Sequence, residues 1–474
     1  MKLPWLANAA RDKPLLTAWF AFALYSALVS LPVQLLVLPF IVPGYHAGHG
    51  LLAGGDTVGY HAIASLLAEG IERTGWSAWL LAPDGQPAAG LAALFYVLLA
   101  PEPWSVIPVN ATLQATGGII VLQLLRQLGA TYKIAAASAA LWVCFPSSLQ
   151  WVSQIQKDGY YFAGMLGVLL GWTLLLRWTR RESHPAKFIL AIGILATGVV
   201  LVGAARLYGL QIIQALAVGL AIVAVPALVF CAWHGKTLPA RSAVVMAVLA
   251  LTPVLVNPNQ LDSRTNAELP RGDRNFTFDG RTEYAIKPND FVRKHWVRTD
   301  FLPAAIDRTS MRMIVTRMGY VGEPYSSAGS MIDLNVRILN ATEFIAYLPR
   351  ALQIAFLAPF PSHWIAPGVT PGSNIMRKVA GLEMLLLYPM LLAGLPLAAW
   401  RWRRNYEFWL ITAFCGAILI AYTYATPNLG SLYRLRYGFL MTFAAIGFAA
   451  LCLSICEFRA RRSNLTHLFI VPRI

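Results

Sequence analysis

The stretch LLTAWFAFALYSALVSLPVQLLVLPFIVP, residues 15–43, decides the fold of this chain. It contains no charged side chain, and it exceeds the roughly 20 residues that an α-helix needs to cross a bilayer. Two further apolar runs are YYFAGMLGVLLGWTLLL (160–176) and YGLQIIQALAVGLAIVAVPALVF (208–230). The first run is too long for the apolar core of a signal peptide, so we interpret it as a retained membrane anchor.

The composition places the whole chain in the same class. Of its 474 residues, 57% are hydrophobic and only 13% are charged, whereas charged residues make up about 25% of a soluble domain. The five cysteines lie in apolar segments without CxxC or CxxH spacing, which is typical of small core residues. The sequence therefore predicts an all-α polytopic membrane protein.

Short basic loops predict the orientation, because Lys and Arg in such loops mark the cytoplasmic side. Six clusters occur, at Lys2/Arg11/Lys13, Arg126/Lys133, 177–187, His234/Lys236/Arg241, 401–405 and 459–462. With all six in the cytoplasm, the spans fall near 14–43, 106–126, 134–151, 159–177, 188–205, 208–232, 241–257, 379–400, 407–426 and 437–457. We thus expect about ten transmembrane helices, with both ends inside. The net charge of +16 resides largely in these loops and suits an anionic inner leaflet, without any need for nucleic acid.

Two apolar pieces do not fit as spans. GLAALFYVLLAPEPW (90–104) is short and ends in Pro-rich sequence, and YLPRALQIAFLAPFPSHW (347–364) carries Arg350 and three prolines. Counting either as a span would reverse the later basic loops. We interpret both as helices that lie in the outer interface, and a twelve-span topology remains the alternative.

The stretch 258–345 differs from the rest of the chain. It holds 12 Lys/Arg and 11 Asp/Glu residues, half of the chain's 22 acids, together with turn-rich sequence. Long loops translocate regardless of their charge, so we predict a soluble extracytoplasmic insert. The expected organisation is an N-terminal transmembrane module (1–257), the insert with its interfacial helix (258–378) and C-terminal transmembrane helices (379–474).

This topology collects polar residues at the outer ends of the helices. They are Asp56, Tyr60 and His61 after the first span, Lys157, Asp158 and Tyr160 in QIQKDGYY, Arg206 and Tyr208 in GAARLYG, and Asn428, Tyr433, Arg434 and Arg436 in PNLGSLYRLRYG. Charges at this depth are costly and tend to mark function. Guanidinium groups bind phosphate in forked pairs, and a carboxylate beside apolar walls can accept a hydroxyl proton. We expect Arg434 and Arg436 to lie in an extended loop and to point in opposite directions.

Three of these motifs together resemble the glycosyltransferase-C superfamily. GGDTVGYHAIA (54–64) is similar to its first-loop motif, in which an Asp follows the first span and precedes a short helix. LWVCFPSSLQWVSQIQKDGYYFAGMLGVLL (141–170) resembles its third span, acidic second loop and next span, and PNLGSLYRLRYGF (427–439) resembles a segment before a late span of surface-polysaccharide members. The resemblance covers residues 50–215 and 425–440 most clearly and leaves the insert unmatched.

The resemblance implies an inverting transferase that uses a polyprenyl-phosphate-linked sugar on the periplasmic face and a glycan, lipid or protein acceptor. Asp56 carries over as the candidate catalytic base, and Asp158 carries over as a second catalytic carboxylate, the second-loop acid that positions the acceptor. We expect Arg206, Arg434 or Arg436 to bind the phosphate of the donor. The implied substrate-binding residues are Tyr60, His61, Lys157, Arg206, Tyr208, Tyr433, Arg434 and Arg436. Some members hold a divalent cation, Mg²⁺ or Mn²⁺, at the second loop, but Lys157 beside the single Asp158 makes a poor cation site.

The Asp56 segment also has a simpler interpretation, in which its carboxylate caps the helix that follows, with Gly54–Gly55 allowing a tight turn. Two other functions remain open. An O-antigen ligase or polymerase uses similar outer-face residues, and a late insert suits it, but the early Asp56 motif argues against it. A transporter or flippase predicts charges at mid-membrane and repeated halves, neither of which the sequence shows.

Overall fold

A computed structural model gives the structure of the protein and describes residues 12–53, 56–181, 184–233, 288–321, 329–366 and 371–468. Within these ranges the regular structure is helical. Extended backbone pairs there only at two isolated bridges, His46 with Leu52 and Met331 with Asn428. The predicted all-α class is confirmed for the part of the chain that the structure describes.

The helices follow one another with short connections. Up to residue 233 they are α1 (Pro14–Pro32, continued by a π-helix over Val33–Ile41), α2 (Thr57–Thr74), α3 (Pro87–Leu98), α4 (Ile107–Gln127), α5 (Tyr132–Cys144, followed by a single helical turn over Leu149–Val152), α6 (Asp158–Arg181), α7 (Pro185–Ala205) and α8 (Leu207–Trp233). From residue 288 onward they are α9 (Pro288–His295), α10 (Ala304–Met318), α11 (Ala341–Ala346), α12 (Leu348–Leu357), α13 (Pro361–Ile365), α14 (Pro371–Pro389), α15 (Leu395–Trp402), α16 (Tyr406–Ala425) and α17 (Leu429–Leu468).

In the part of the chain that the structure describes, seven helices are long and apolar enough to cross a membrane. They are Pro14–Ile41, Pro103–Gln127, Asp158–Arg180, Pro185–Ala205, Met376–Trp402, Tyr406–Ala425 and Leu429–Ala460. Each coincides with one of the ten spans expected from the sequence. The chain is a multi-pass helical membrane protein, and the full count of about ten is not confirmed.

The other three expected spans differ in their outcome. The span near 134–151 is only the 13-residue helix α5, which ends at Cys144 just before Pro146. At 1.5 Å per residue α5 covers about 20 Å, short of the roughly 30 Å hydrocarbon core. The span near 208–232 corresponds to α8, and the span near 241–257 lies outside the described residues.

The two pieces that we excluded as spans form short helices. The first is α3, of 12 residues, and the second is divided into α12, of 10 residues, and α13, of 5 residues. Pro359 and Pro361 fall at and just after this division, where proline cannot continue a helix. Neither piece is long enough to span a bilayer as a single helix.

The chain forms two compact units. The first comprises Met1–Pro270, Met390–Thr412 and Thr442–Ile474, and the second comprises Arg271–Pro389 and Ala413–Met441. The expected insert of 258–378 therefore falls largely into the second unit, which also takes in parts of α16 and α17. The three-part division expected from the sequence does not anticipate this sharing of helices.

In the first unit, α2 is the amphipathic helix that the sequence predicts. Tyr60, Ile63, Leu67 and Ile71 recur at helical spacing and are buried, while Leu66 on the other side is 50% exposed. The buried face packs against α3, whose alanines allow close approach, in a core that includes Ala89, Ala92, Ala93 and Tyr96. This packing fixes α2, and with it the segment that carries Asp56.

Helices α6 and α7 pack along a seam of small residues. A Cβ atom added at Gly198 would lie 2.7 Å from the carbonyl oxygen of Gly164, and one added at Gly171 would lie 3.0 Å from Cβ of Leu195. Such spacing lets two backbones touch, which is the main source of attraction between helices in lipid. The seam therefore holds Asp158, the first residue of α6, at a fixed position relative to the end of α7.

We predict that Gly198→Ala lowers the melting temperature of the purified protein, because the new methyl group meets the backbone of α6. Overpacking of this kind costs about 1–3 kcal/mol. Gly193→Ala on the same helix is the matched control, since nothing lies within 4 Å of the added Cβ. Melting followed by intrinsic fluorescence in detergent should show a loss for Gly198→Ala only. Equal melting temperatures for the two variants would contradict the packing argument.

Candidate functional site

Asp56 lies at the N-terminal end of α2, beyond the first span, as the sequence predicts. Its side chain is exposed, and it makes no capping hydrogen bond to the helix. Only its backbone carbonyl takes part, accepting from the N–H of Tyr60 at 3.0 Å. The capping interpretation predicts a side-chain bond that the described residues do not show, and Gly54–Gly55 lie outside them.

Two histidine pairs lie beside this segment. His61 Nδ1 is 2.7 Å from the hydroxyl of Tyr96 on α3, and His49 Nδ1 is 3.0 Å from Oε2 of Glu102. The two imidazole rings are neighbours, with centroids 4.8 Å apart. Tyr60, by contrast, is buried in the α2–α3 core, so its ring serves packing first.

The histidine cluster sets the charge of His61. Burial, and then the charge of the neighbouring His49, lower the pKa of His61, while the carboxylate of Glu102 opposes this shift. Burial also raises the pKa of Tyr96 well above its usual range, so its hydroxyl stays protonated. His61 is therefore a neutral imidazole at pH 7, able to accept or donate a hydrogen bond but not to attract an anion by charge.

Buried amides fix the loop that leads to Asp158. Asn110 on α4 donates to the carbonyls of Trp151, Val152 and Gln154 at 3.0–3.3 Å. Gln154 in turn donates to the carbonyl of Gly50 and accepts from the N–H of Leu52, at 3.0 Å each. The loop before α6 and the loop before α2 are thereby joined, which restricts the positions of Asp56 and Asp158 along the chain.

Gly50 has a specific place in this junction. Its φ of +72° is left-handed, and a Cβ atom there would lie 2.3 Å from the side chain of Gln34. Gln34 is itself buried and donates to the carbonyl of Ser153 at 2.9 Å. Glycine is needed at residue 50 on both counts.

Asp158 and Arg206 form a buried ion pair. Arg206 Nη2 lies 2.7 Å from Oδ1 of Asp158, with the two side chains 7% and 0% exposed. Arg206 Nη1 lies 2.6 Å from the hydroxyl of Tyr208, and the guanidinium faces the ring of Tyr161 at 5.4 Å. The structure thus brings together three predicted site residues. The carboxylate is held at the N-terminal end of α6, where the helix dipole also favours it.

The charged groups of Arg206 and Asp158 are therefore bonded to each other. The sequence assigns Arg206 to a donor phosphate and Asp158 to an acceptor, but in this structure the guanidinium is bonded to Asp158 and Tyr208 instead. Lys157, the preceding residue, is half-buried. A ligand for Arg206 would have to compete with a buried carboxylate.

In the second unit, Arg434 and Arg436 lie in α17 and not in an extended loop. Asn428 accepts a hydrogen bond from the N–H of Ser431 at 3.1 Å, so the helix begins before the two arginines. Residues two apart on a helix lie about 200° apart around its axis. The two arginine side chains therefore point in nearly opposite directions, as expected, although the extended loop that we expected for them is a helix.

Arg436 is fully buried, and its guanidinium is bonded to backbone carbonyls. Its guanidinium donates to the carbonyls of Ile354 and Ala355 at 2.9 Å each, and to that of Ala358. These carbonyls belong to the last turn of α12 and the residue after it, where the ended helix no longer supplies a full set of donors. The carbonyl of Ile354 also accepts from the N–H of Ala358 at 3.2 Å. The phosphate role expected for Arg436 conflicts with this arrangement. Tyr433 likewise donates to Glu383, an acid that is 2% exposed.

This unit contains a second charged cluster, none of whose residues was among the site residues expected from the sequence. Arg350 bonds Asp333 through Nε and Nη2 at 3.0 Å each, and the hydroxyl of Tyr347 donates to the same carboxylate at 2.9 Å. Burial alone would raise the pKa of Asp333, but the bonds from Arg350 and Tyr347 and the charges of Arg350 and Arg317 hold it below its usual value. One signal could have revealed it, since Arg350 is the only charge in the apolar helix α12.

The described residues do not fit a divalent cation. No group of three His, Cys, Asp or Glu side chains within the described ranges is placed to hold a metal ion. Asp158, where the resemblance allows a cation, is bonded to a guanidinium, and Mg²⁺ or Mn²⁺ would need further oxygen ligands.

No protein-family model and no curated protein matches the chain. Among solved structures, it is similar to the archaeal oligosaccharyltransferase AglB from Archaeoglobus fulgidus, in complex with an inhibitory peptide and a dolichol-phosphate. The sequences are 13% identical, and the TM-score is 0.46 over 98% of this chain and 53% of the other. The chain spans about half the length of that protein.

We predict that the ion pair stabilises the fold only as a pair. Arg206→Gln leaves a buried carboxylate uncompensated, a change that costs about 3–5 kcal/mol. Arg206→Gln combined with Asp158→Asn should recover much of the loss, because no net charge is then buried. The measurement is a double-mutant comparison of melting temperatures in detergent. Additive losses from the two substitutions would show that the two residues do not act together.

We also predict that His61 contributes to the acid sensitivity of the protein. Its pKa in the fold lies below the ordinary value of 6.5, so the unfolded chain takes up its proton first as the pH falls. The stability that neutral His61 supports is present above about pH 6.5 and is lost as the pH falls through its folded pKa. His61→Gln should therefore reduce the fall in melting temperature between pH 7.5 and pH 5.

The exposed His184 provides the control for this pH effect. His184→Asn should leave the pH dependence of melting as in the unmodified protein. If His61→Gln left it unchanged as well, the neutral form of His61 would not be what the fold stabilises.

Proposed function

We propose that this chain is a glycosyltransferase that moves a sugar from a polyprenyl-phosphate donor to a cell-envelope glycan, lipid or protein acceptor. The proposal places the reaction on the periplasmic face of a bacterial inner membrane. The motifs at 54–64, 141–170 and 427–439 support it, since they occur in the order expected for the glycosyltransferase-C superfamily.

One observation carries the choice of catalytic group. The Asp56 carboxylate is exposed at the start of an ordered helix, just beyond a membrane span, and it forms no capping bond. Asp158, the other candidate, is buried and bonded to Arg206. Of the two acids, Asp56 is the one whose carboxylate is open to a substrate hydroxyl.

The chemistry needs little besides this base and a ligand for the departing phosphate. Asp56 takes the proton of the acceptor hydroxyl as its oxygen forms a bond to C1 of the sugar. The bond between C1 and the phosphate oxygen breaks, and the polyprenyl phosphate leaves with the electron pair. Attack from the face opposite the phosphate inverts the configuration at C1.

The location of Asp56 suits a lipid-linked donor. The prenyl chain of such a donor stays in the hydrocarbon, so its sugar–phosphate bond reaches only the headgroup level. A base fixed just after the first span meets the bond at that level. The packing of α2 on α3 and the amide network of Asn110 and Gln154 hold the segment there.

The phosphate ligands are revised by the contacts described above. Arg206 and Arg436 are occupied by Asp158 and by backbone carbonyls, so we assign them to positioning and folding. Lys157, which is half-buried and lies in the same unit as Asp56, keeps its proposed role in substrate binding. Lys157→Gln is then expected to raise KM for the donor and to leave the melting temperature of the protein unchanged.

The central test is Asp56→Asn in the full-length protein purified in detergent. The substrate is a lipid extract from cells that lack the protein, and the product is a glycolipid or glycan whose mass rises by one sugar. Asparagine cannot take the proton, so turnover should fall by about 100-fold or more, with an unchanged melting temperature. Glu72→Gln, an exposed acid on the same helix, is the matched control and should keep full turnover.

The outcomes separate the competing functions. Transfer in detergent, where no leaflets exist, requires an enzyme and is not expected of a flippase. Full turnover by a well-folded Asp56→Asn protein would remove Asp56 from the mechanism. No sugar transfer by the unmodified protein, with accumulated donor in the extract, would overturn the proposed function itself.

A further inference from the structure

A cavity of about 430 Å³ lies in the first unit, far along the chain from the Asp56 segment, at the end of three membrane helices. It lies at the last turn of α4, the last turns of α6 and the first turns of α7. Its lining residues are Gln123, Arg126, Gln127, Leu174, Arg177, Trp178, Lys187 and Leu190. No Asp or Glu is among them.

Three cations line this cavity, and the contacts of two are well defined. Arg126 uses Nη1 to bond the carbonyl of Ala130 at 2.7 Å, which leaves most of its five N–H donors available. Arg177 forms no hydrogen bond or ion pair with any residue in the described ranges. Lys187 adds a third charge from the start of α7. Such a lining selects an anion, and forked guanidinium donors suit phosphate oxygens.

Apolar surface continues directly from the cations. Leu174 and Leu190 line the cavity itself, and Leu190 and the adjacent Ile189 are 58% and 69% exposed. Trp178, which packs against Phe188 with ring centroids 4.8 Å apart, lies between the charged and the apolar parts. Tryptophan is typical of the boundary between headgroups and hydrocarbon. A water-soluble anion would leave this apolar surface uncovered.

We propose that this cavity binds the headgroup of an anionic phospholipid, with its phosphate held by Arg126, Arg177 and Lys187. An acyl chain then runs along Ile189 and Leu190 on the outer face of α7. Basic pockets between membrane helices are known to hold anionic headgroups. The site is independent of the proposed transferase activity, because none of its residues takes part in that reaction.

The test uses native mass spectrometry of the full-length protein in detergent. It is titrated with phosphatidylglycerol, with phosphatidylcholine of the same acyl chains, and with glycerol 1-phosphate as the soluble form of the headgroup. The unmodified protein should bind phosphatidylglycerol most tightly. Arg177→Gln should weaken that binding about fivefold, and the double variant Arg126→Gln/Arg177→Gln about 25-fold.

The matched control is Lys133→Gln, which removes one exposed charge just beyond the α4–α5 turn and outside the cavity. It should bind phosphatidylglycerol as the unmodified protein does. Arg177→Lys should bind better than Arg177→Gln, which separates loss of charge from loss of packing. Equal binding of the two lipids, equal binding by Arg177→Gln and the unmodified protein, or equally tight binding of glycerol 1-phosphate would each overturn the proposal.

Discussion

Backbone carbonyls at interrupted helices are the constraint on which the rest of this structure depends. A membrane protein has little water inside to satisfy them, so each break in a helix needs donors from elsewhere in the chain. Long polar side chains supply them at residues far apart in sequence. Examples are Asn110 toward Trp151, Val152 and Gln154, Gln34 toward Ser153, and Arg436 toward Ile354, Ala355 and Ala358. Because the donors of Arg436 are already bonded to backbone carbonyls, this buried cation serves to stabilise the fold.

The same constraint divides the charged residues near the proposed site. Asp158 and Arg206 neutralise each other in a place where neither could be left alone. Asp56 lies where its carboxylate stays exposed and requires no partner from the described residues. Groups of the first kind hold elements in position, whereas the exposed carboxylate of Asp56 keeps its bonding capacity, as the proposed base role requires. The histidine pairs beside α2 fall between these extremes, with one imidazole held neutral and half-buried.

The sequence predicts the membrane helices well, because hydropathy over about 20 residues reflects the same transfer energy that inserts a helix. It fails at 134–151, where Pro146 ends α5 early. It places Arg434 in a loop because Pro427, Asn428 and Gly430 are typical of turns, whereas Asn428 caps a helix there. The partnership of Asp158 with Arg206 joins residues 48 positions apart, and no local pattern reveals it. Asp56 lies where the sequence predicts, because that position depends only on an immediate neighbour, the first span, and its catalytic role is a proposal.

The glycine seam between α6 and α7 has a consequence for biosynthesis. Only residues 182–184 separate the two helices, so they leave the translocation machinery as a hairpin, one directly after the other. Their contact needs no later part of the chain, and contacts between sequence neighbours form fastest. Helix α6 is the more deeply buried of the two, because 89% of its apolar stretch is buried inside the protein, against 33% for α7. The hairpin thus covers one face of α6 without any helix that is made later, and α4, which is made earlier, packs against another part of α6.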